Sequence, residues 1–388
     1  MKRQIGVLTY HHVINPGAIL QSYALSKLLQ RIFIEDEVSV IDYRPLITEW
    51  RDLHYAFSDI KRLKVFRERF QRYWRLKKFF KEELHLSQET HISNKYEKAL
   101  AFLHDKYDLI VVGSDEIWKI ETSGFGRPFP NVYWLDKSLT CKKVSYAASA
   151  NTLAYEELDV GIKEIISERL SNFDLIGVRD DHTFNMVSYF QPHSIKHLVK
   201  VPDPTFTLEL KESQRTRQYL ERLGVDFTKP LLGITFFYKP MNDQLLSAYR
   251  ARGYQILALS AYNPEADVNL EGKLDPFQWA QAYRYLNLCF TNLFHGTIFC
   301  LKSHIPFLSV DFYDNSKYES KIKCLLKELD MLDQHFELNV NVRNDYNAIV
   351  ENMNHKLINI NYEQLGEKLE QKKRESEHFI ARIKEVMR

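Results

Sequence analysis

The amino-acid sequence predicts an α/β protein with two domains, each built on a parallel sheet. Short runs of β-branched and aromatic residues recur along the chain, and segments with helical periodicity separate them. Such alternation is typical of strands joined by crossover helices, which form parallel sheets. The chain has 388 residues, of which 45% are hydrophobic, so it is long and apolar enough to fill two cores.

The predicted strands fall into two series. The first comprises residues 4–10, 38–43, 108–113, 143–148, 173–178 and 198–203, and the second comprises 230–238, 254–260, 286–290 and 305–312. A charged stretch over 210–230 separates them and predicts a helix followed by a connector. We therefore expect an N-terminal domain over 1–210 and a C-terminal domain over 211–340. Apolar residues at helical spacing predict that 341–388 form helices that pack back on the N-terminal domain.

Composition excludes several classes of protein. Lys and Arg number 53 against 51 Asp and Glu, so the net charge of +2 gives no reason to expect a nucleic-acid partner. The four cysteines, Cys141, Cys289, Cys300 and Cys324, are widely spaced and predict buried thiols, with neither zinc nor disulfides. No apolar run approaches the roughly 18 residues of a membrane span, and the N-terminus lacks a signal-peptide pattern. We expect a cytoplasmic protein without a metal or cofactor.

One segment departs from the alternation. Residues 61–81 contain ten Lys or Arg and one Glu, with aromatic residues near helical spacing, so a strongly basic amphipathic helix is predicted over 61–82. Its aromatic stripe could simply cover the core of the N-terminal domain. Alternatively, the helix could contact an anionic membrane surface, at the inner face of the membrane, or a diphosphate-containing acceptor.

Candidate site residues follow the predicted strands, because ligands of open parallel sheets bind beyond the carboxyl ends of the strands. After the first strand, Gly17 begins a helix whose free N–H groups could bind an anion. After the third strand, Ser114 and Asp115 are adjacent. Asp115 could serve as a base or an orienting group, or it could be a helix N-cap.

Arg179 and His295 occupy similar positions further along the chain. Arg179 lies at the carboxyl end of the fifth predicted strand, where a guanidinium could bind a carboxylate or phosphate or pair with a neighbouring acid. His295 follows the strand at 286–290, before a helix expected to begin at Gly296 or Thr297. An imidazole there could donate or accept a proton during catalysis, or it could be a packed, hydrogen-bonded core residue.

Six segments together resemble the polysaccharide pyruvyl transferase family in their order and approximate spacing. They are NPGAILQSYALSKLL, DLIVVGSDEIW, VSYAASA, GVRDDHT, VPDPTF and TNLFHGTIFCLKSHIPFLSV. The resemblance extends from residue 5 to about residue 330. It implies two Rossmann-like domains in a GT-B-like arrangement, with the active site in the cleft between them.

The resemblance also implies an activity, namely transfer of a pyruvyl group from phosphoenolpyruvate to a sugar as a ketal, with release of phosphate. Arg179 matches the family arginine that binds the anionic donor, His295 the catalytic histidine, and Asp115 an acidic residue of the site. A donor that carries a carboxylate and a phosphate needs cations and N–H groups. Gly17, Ser114, Gly296 and Thr297 are therefore expected donor-binding residues.

Leu293 departs from the family pattern. Some members have an arginine or a serine at this position, two residues before the histidine. Lys317 and Lys321 are candidates for a second donor-binding cation, although lysines of this kind are usually solvated surface residues.

Two other functions agree with the same fold. One is a GT-B-like glycosyltransferase that uses a nucleotide sugar, and the other is a non-catalytic member of a polysaccharide-assembly complex. The acceptor sugar, the ketal linkage and a lipid carrier are not specified by the sequence.

Overall fold

The computed structural model describes residues 2–58, 61–120, 128–192, 197–209, 211–313, 318–339, 345–357 and 360–388. Within these ranges, the chain divides into two compact units. The first unit comprises residues 1–55, 76–208 and 370–388, and the second comprises 56–75 and 209–369.

The first unit contains a parallel sheet of seven described strands. In the order β3-β2-β1-β4-β5-β6-β7, the neighbouring strands are all parallel. The strands are β1 (Gln4–Leu8), β2 (Glu37–Arg44), β3 (Leu86–Ile92), β4 (Leu109–Val112), β5 (Lys142–Ala148), β6 (Leu175–Val178) and β7 (Leu198–Lys200). The order reverses direction between β1 and β4, and this is the position at which open parallel sheets bind ligands.

Helices cover this sheet. They are α1 (Pro16–Ile32), α2 (Leu46–Phe57), α4 (Tyr96–Leu103), α5 (Val160–Leu170) and α6 (Asp181–Phe190), together with the end of α3 (Leu63–Glu83), whose residues 76–83 belong to this unit. The central strands β1, β4 and β6 are apolar and buried on both faces, which is the pattern expected where helices lie on both sides of a sheet.

The second unit contains a parallel sheet of six described strands in the order β10-β9-β8-β11-β12-β13. The strands are β8 (Leu231–Ile234), β9 (Gln255–Ala258), β10 (Val268–Asn269), β11 (Leu288–Thr291), β12 (Phe307–Tyr313) and β13 (His335–Asn339). The helices are α7 (Gln214–Arg222), α8 (Lys239–Ala251), α9 (Pro276–Ala282), α10 (Phe294–Ser303), α11 (Lys321–Glu328) and α12 (Tyr346–Lys356). The last helix, α13 (Tyr362–Val386), begins in this unit and continues into the first unit from residue 370. In the second sheet, the strand order reverses between β8 and β11.

The units differ from the sequence-based boundaries in two places. Residues 56–75 belong to the second unit, where Arg72 in α3 donates hydrogen bonds to Ser260 and Glu271. Residues 341–369 also belong to the second unit, whose core includes Val350 and Met353 of α12.

Residues 370–388 lie in the first unit. There Phe379 of α13 is almost completely buried, with its ring 5.6 Å from that of Tyr146. No described helix is both long enough and apolar enough to cross a membrane.

Candidate active site

The carboxyl edge of the first sheet is held by a glutamine on α1. The Gln21 amide nitrogen donates to the Thr9 hydroxyl at 2.8 Å, just beyond β1. Its carbonyl oxygen accepts from the Ser114 backbone N–H at 3.0 Å and from the Ser114 hydroxyl at 2.9 Å, just beyond β4. All three side chains are buried. Gln21 therefore joins the ends of the two strands between which the sheet order reverses.

Arg179 joins the same network. Its Nη1 donates to Asp203 at 3.1 Å and its Nη2 to Asp115 at 3.4 Å. The Arg179 side chain is only 3% exposed. Burial acts to lower the pKa of this guanidinium, but the carboxylates of Asp115, Asp203 and Asp180 outweigh it and raise the pKa above its usual value. Arg179 is thus charged and already paired with two acids, which is the second of the two alternatives given for it in the sequence analysis.

Asp203 was not assigned a role from the sequence, although it lies in the quoted segment VPDPTF. Its carboxylate also accepts from the backbone N–H of Thr205 at 3.0 Å and from the Thr205 hydroxyl at 2.7 Å. The Ser114 hydroxyl lies 3.4 Å from its other oxygen. The signal in the sequence is an acid close to the end of a strand, since Asp203 lies three residues beyond β7.

Asp115 does not cap a helix, since residues 116–120 are not helical. Its backbone lies in the left-handed region, with φ of 72°, which aspartate tolerates better than most residues. Its carbonyl accepts from the N–H groups of Ile117 and Ser149 at 2.7 and 3.0 Å. These bonds fix the loop, so the Asp115 carboxylate is directed to Arg179.

Gly17 lies in the first turn of α1 and is buried. The side chain of Asn15 caps the helix and accepts from the N–H groups of Gly17 and Ala18 at 3.0 and 3.4 Å. An anion at this helix end would therefore compete with Asn15.

Two histidines after β1 were not identified as site residues. His11 Nε2 lies 2.9 Å from the Asp42 carboxylate. His12 is 1% exposed, and neither of its ring nitrogens has a hydrogen-bond partner among the described residues. Burial, aided by the nearby charges of His11, Lys77 and Arg44, holds the pKa of His12 well below its usual value. His12 is therefore a neutral imidazole at the same edge of the sheet as Thr9.

At the carboxyl edge of the second sheet, His295 lies in the first turn of α10. The helix begins at Phe294, two or three residues earlier than expected, with Leu293 as its N-cap. Leu293 has no side-chain oxygen, and its carbonyl accepts from the Thr297 N–H at 2.9 Å and hydroxyl at 3.1 Å. His295 is 6% exposed. An imidazole and backbone N–H groups of a helix start thus follow β11 directly.

Gly296 allows α10 to pack closely on this edge. A Cβ at this position would lie 2.5 Å from the Thr291 hydroxyl oxygen and 2.9 Å from that of Tyr283. Thr291 in turn accepts from the Thr235 hydroxyl at 3.0 Å and from the Leu293 N–H at 3.1 Å. Thr235 follows β8 and Thr291 ends β11, so these bonds fix His295 at the point where the strand order reverses.

Two lysines were predicted as donor-binding cations, and the structure describes only one of them. Lys321 begins α11, and its Nζ lies 5.6 Å from the ring centroid of Phe294, the residue before His295. Lys317 lies outside the described residues.

The predicted site residues thus form two groups, each within one unit. Ser114, Asp115 and Arg179 are linked through Gln21 and Asp203 in the first unit, and Gly17 lies on the same helix as Gln21. His295, Gly296, Thr297 and Lys321 form the group in the second unit. Among the described residues, no cluster of His, Cys, Asp and Glu could hold a metal ion.

Comparison with known proteins defines the class of this fold. The chain is similar to UDP-GlcNAc 2-epimerase from Methanocaldococcus jannaschii, with a TM-score of 0.56 and 11% identity over 92% of this chain and 93% of that one. It is also similar to Medicago truncatula UGT71G1 complexed with UDP-glucose, with a TM-score of 0.54 and 11% identity over 100% and 99% of the two chains. The predicted fold class, two parallel-sheet α/β domains of the kind found in GT-B enzymes, is confirmed.

The particular family follows from the sequence. The sequence model of the family described as Polysaccharide pyruvyl transferase matches residues 15–315. The chain belongs to this family, as its motifs predicted. No curated protein sequence matches the chain.

Proposed function

We propose that this protein transfers a pyruvyl group from phosphoenolpyruvate to a sugar of a cell-surface polysaccharide or of its lipid-linked precursor. The product is a pyruvate ketal across two sugar hydroxyls. Membership of the polysaccharide pyruvyl transferase family carries the proposal. Its support in the fold is His295, which the Thr235–Thr291 hydrogen bond and the start of α10 hold at the carboxyl edge of the second sheet.

The proposed reaction balances without a cofactor or metal. A proton is added to the methylene carbon of phosphoenolpyruvate, and one sugar hydroxyl forms a bond to the adjacent carbon and loses its proton. The bond from that carbon to the phosphate oxygen breaks, which releases phosphate, and a second hydroxyl closes the ketal with loss of its own proton. His295 is the proposed acid, either for the methylene carbon or for the leaving phosphate.

Donor binding requires groups that match a carboxylate and a phosphate. In the proposal, Arg179 binds the donor, and Asp115 accepts a proton from a sugar hydroxyl. The 3.4 Å contact between Arg179 and Asp115 is longer than that between Arg179 and Asp203. A donor anion could therefore replace Asp115 as a partner of Arg179 while Asp203 keeps the guanidinium in place.

The remaining donor contacts in the proposal are Gly17, Ser114, Gly296, Thr297 and Lys321. Lys317, which lies outside the described residues, is included from the sequence alone. Leu293, two residues before His295, carries no charge. In the proposal, Lys321, whose Nζ lies near the Phe294 ring, therefore supplies the second donor-binding cation. The reaction is placed in the cytoplasm, where phosphoenolpyruvate is made.

The test is incubation of the protein with phosphoenolpyruvate and a panel of p-nitrophenyl hexosides of the gluco, galacto and manno configurations. We expect one acceptor to gain the mass of a ketal-linked pyruvyl group, with release of one phosphate per product. Hydrolysis or transfer from UDP- or GDP-sugars, with no response to phosphoenolpyruvate, would instead establish a glycosyltransferase. Product formation that survives loss of both Arg179 and His295 would remove the assigned site.

A further inference from the structure

One face of α3 is fastened to the second unit. Arg72 donates to the Ser260 carbonyl at 2.7 Å, and Arg75 donates to the Gly272 carbonyl at 3.1 Å. Gly272 has φ of 70°, and a Cβ there would lie 2.2 Å from the Glu68 carbonyl oxygen. Glu68, the acidic residue of this segment, is 5% exposed on the same face. These contacts fix the rotation of α3 about its own axis.

Another face of α3 carries a row of apolar side chains that reaches the solvent. Leu63, Phe66, Phe70 and Trp74 follow one another at intervals of three, four and four residues, which places them along one side of the helix. Phe57 lies against the row, with ring centroids 6.2 Å from Phe66 and 5.6 Å from Phe70. We call these five residues the aromatic stripe.

The aromatic stripe is unusually open for large apolar groups. Leu63 is 74% exposed, Trp74 56% and Phe57 44%, while Phe66 and Phe70 are half-buried. The alternative that the aromatic residues of this segment simply cover the core holds for Tyr73 and Phe80, which are buried. It does not hold for the stripe. Contiguous exposed apolar surface of this kind marks a binding surface.

Within residues 61–75, the charged side chains that reach the solvent all have one sign. Lys61, Arg62, Lys64 and Arg67 are exposed, and within residues 61–75 the single acid, Glu68, is buried on the other face. Lys64 is exposed, and its Nζ lies 5.4 Å from the centroid of the Tyr262 ring, so its charge lies over an aromatic face at the surface. A partner must therefore be anionic and must also accept Trp, Phe and Leu side chains.

We propose that the aromatic stripe and its basic border bind the surface of an anionic membrane. Lipid bilayers combine a negative headgroup layer with an apolar interior, which matches exposed Trp, Phe and Leu beside Lys and Arg. The helix lies on the membrane, and the apolar side chains enter the boundary between headgroups and acyl chains. The inference stands on the surface of α3 alone and does not depend on the reaction.

The test is co-sedimentation of the full chain with vesicles of phosphatidylcholine alone and with vesicles of equal parts phosphatidylcholine and phosphatidylglycerol. We expect binding to the anionic vesicles only, and weaker binding as salt is added, because basic residues are attracted to a negatively charged surface and salt screens this attraction. The variant Lys61→Glu/Arg67→Glu should reduce binding by at least about tenfold. The control Lys137→Glu/Lys229→Glu reverses two exposed lysines elsewhere and should bind like the native chain.

A second pair of variants tests the apolar part. Trp74→Ser should weaken vesicle binding about tenfold, because an interfacial Trp is lost. Tyr189→Ser, at a 52% exposed aromatic residue of the first unit, should leave it unchanged. Circular dichroism spectra should be the same for all variants. Failure of the native chain to bind anionic vesicles, or equal binding by the Lys61→Glu/Arg67→Glu variant, would overturn the proposal. Self-association that Trp74→Ser abolishes, without vesicle binding, would assign the stripe to a second copy instead.

Discussion

Different interactions stabilise the carboxyl edges of the two sheets. In the first unit, the buried Arg179 forms ion pairs with the buried Asp203 and with the partly buried Asp115. In the second unit, the strand end is fixed by neutral hydroxyls, Thr235 and Thr291, and is followed at once by a helix start with an imidazole.

Because one edge is held by ion pairs and the other by neutral hydrogen bonds, we expect the two edges to play different roles in the reaction. In a buried network of ion pairs, each charged side chain is held in place by its partners, and little charge is left unpaired. Such a fixed network suits the positioning of a donor anion. A helix start offers N–H groups, and an imidazole can transfer a proton near neutral pH. We therefore expect the first edge to govern binding and stability and the second to govern turnover.

The largest expected effect is on the second edge. We expect His295→Asn to lower turnover by about 10²- to 10⁴-fold, the usual contribution of general acid–base catalysis, with little change in the KM for phosphoenolpyruvate. His304→Asn, at the other end of α10, is the control, because His304 has φ of 51° and Asn adopts this conformation readily. If phosphate release were equally slow in both variants, the loss would not be specific to His295, and a catalytic role for His295 would be contradicted.

The next effect is on the first edge. Arg179→Met leaves the buried carboxylate of Asp203 and the partly buried carboxylate of Asp115 without their cation, and it should lower the free energy of unfolding by about 3–5 kcal/mol. Adding Asp203→Asn should restore part of this stability, while the KM for phosphoenolpyruvate stays high. Urea unfolding and initial rates measure the two quantities separately. A normal KM in the double variant would leave Arg179 with a purely structural role.

A buried carboxyl near the first edge gives a pH-dependent prediction. Burial raises the pKa of Asp52 to about 6, whereas an unfolded aspartate titrates near 3.9. The folded state therefore binds this proton more tightly, and the stability that the protonated carboxyl contributes is lost as the pH rises through about 6. Asp52→Asn should raise the free energy of unfolding by about 2–3 kcal/mol near pH 8 and by little near pH 4. The same gain at both pH values would contradict this pKa.

The smallest effect concerns the close packing of α10. Gly296→Ala should lower the free energy of unfolding by about 1 kcal/mol, since the new methyl group meets the Thr291 hydroxyl at 2.5 Å. It should also lower turnover by displacing His295. Gly366→Ala is the matched control, because no atom lies within 4 Å of the position its Cβ would take. Calorimetry in which both variants are equally stable would show that α10 has room to move.

Much of the fold could be predicted from the sequence, and the exceptions have physical causes. Buried strands such as β4 and β8 are short apolar runs that alternate with helices. β3 was missed because LSQETHI is polar and partly exposed and so lacks an alternating apolar pattern. The start of α10 was placed too late, because its N-cap, Leu293, lacks the polar side chain that usually marks a helix start.

The candidate site was predictable only residue by residue. Strand ends and family motifs predict Arg179 and His295 as candidate site residues. The hydrogen bonds that Gln21 and Asp203 make depend on loops that are distant in the sequence, so single residues do not predict them. Likewise, the ring nitrogens of His12 have no hydrogen-bond partner among the described residues because His12 is buried, and the sequence alone does not show that burial.

The position of Phe379 has a consequence for synthesis of the chain. Its ring fills the space beside Gly177, where a Cβ would lie 2.6 Å from the Phe379 ring, and it packs on Tyr146. This part of the first unit's core is therefore supplied by residues that the ribosome adds only after the whole second unit. The core of the first unit can therefore be completed only after every residue of the second unit has been synthesised.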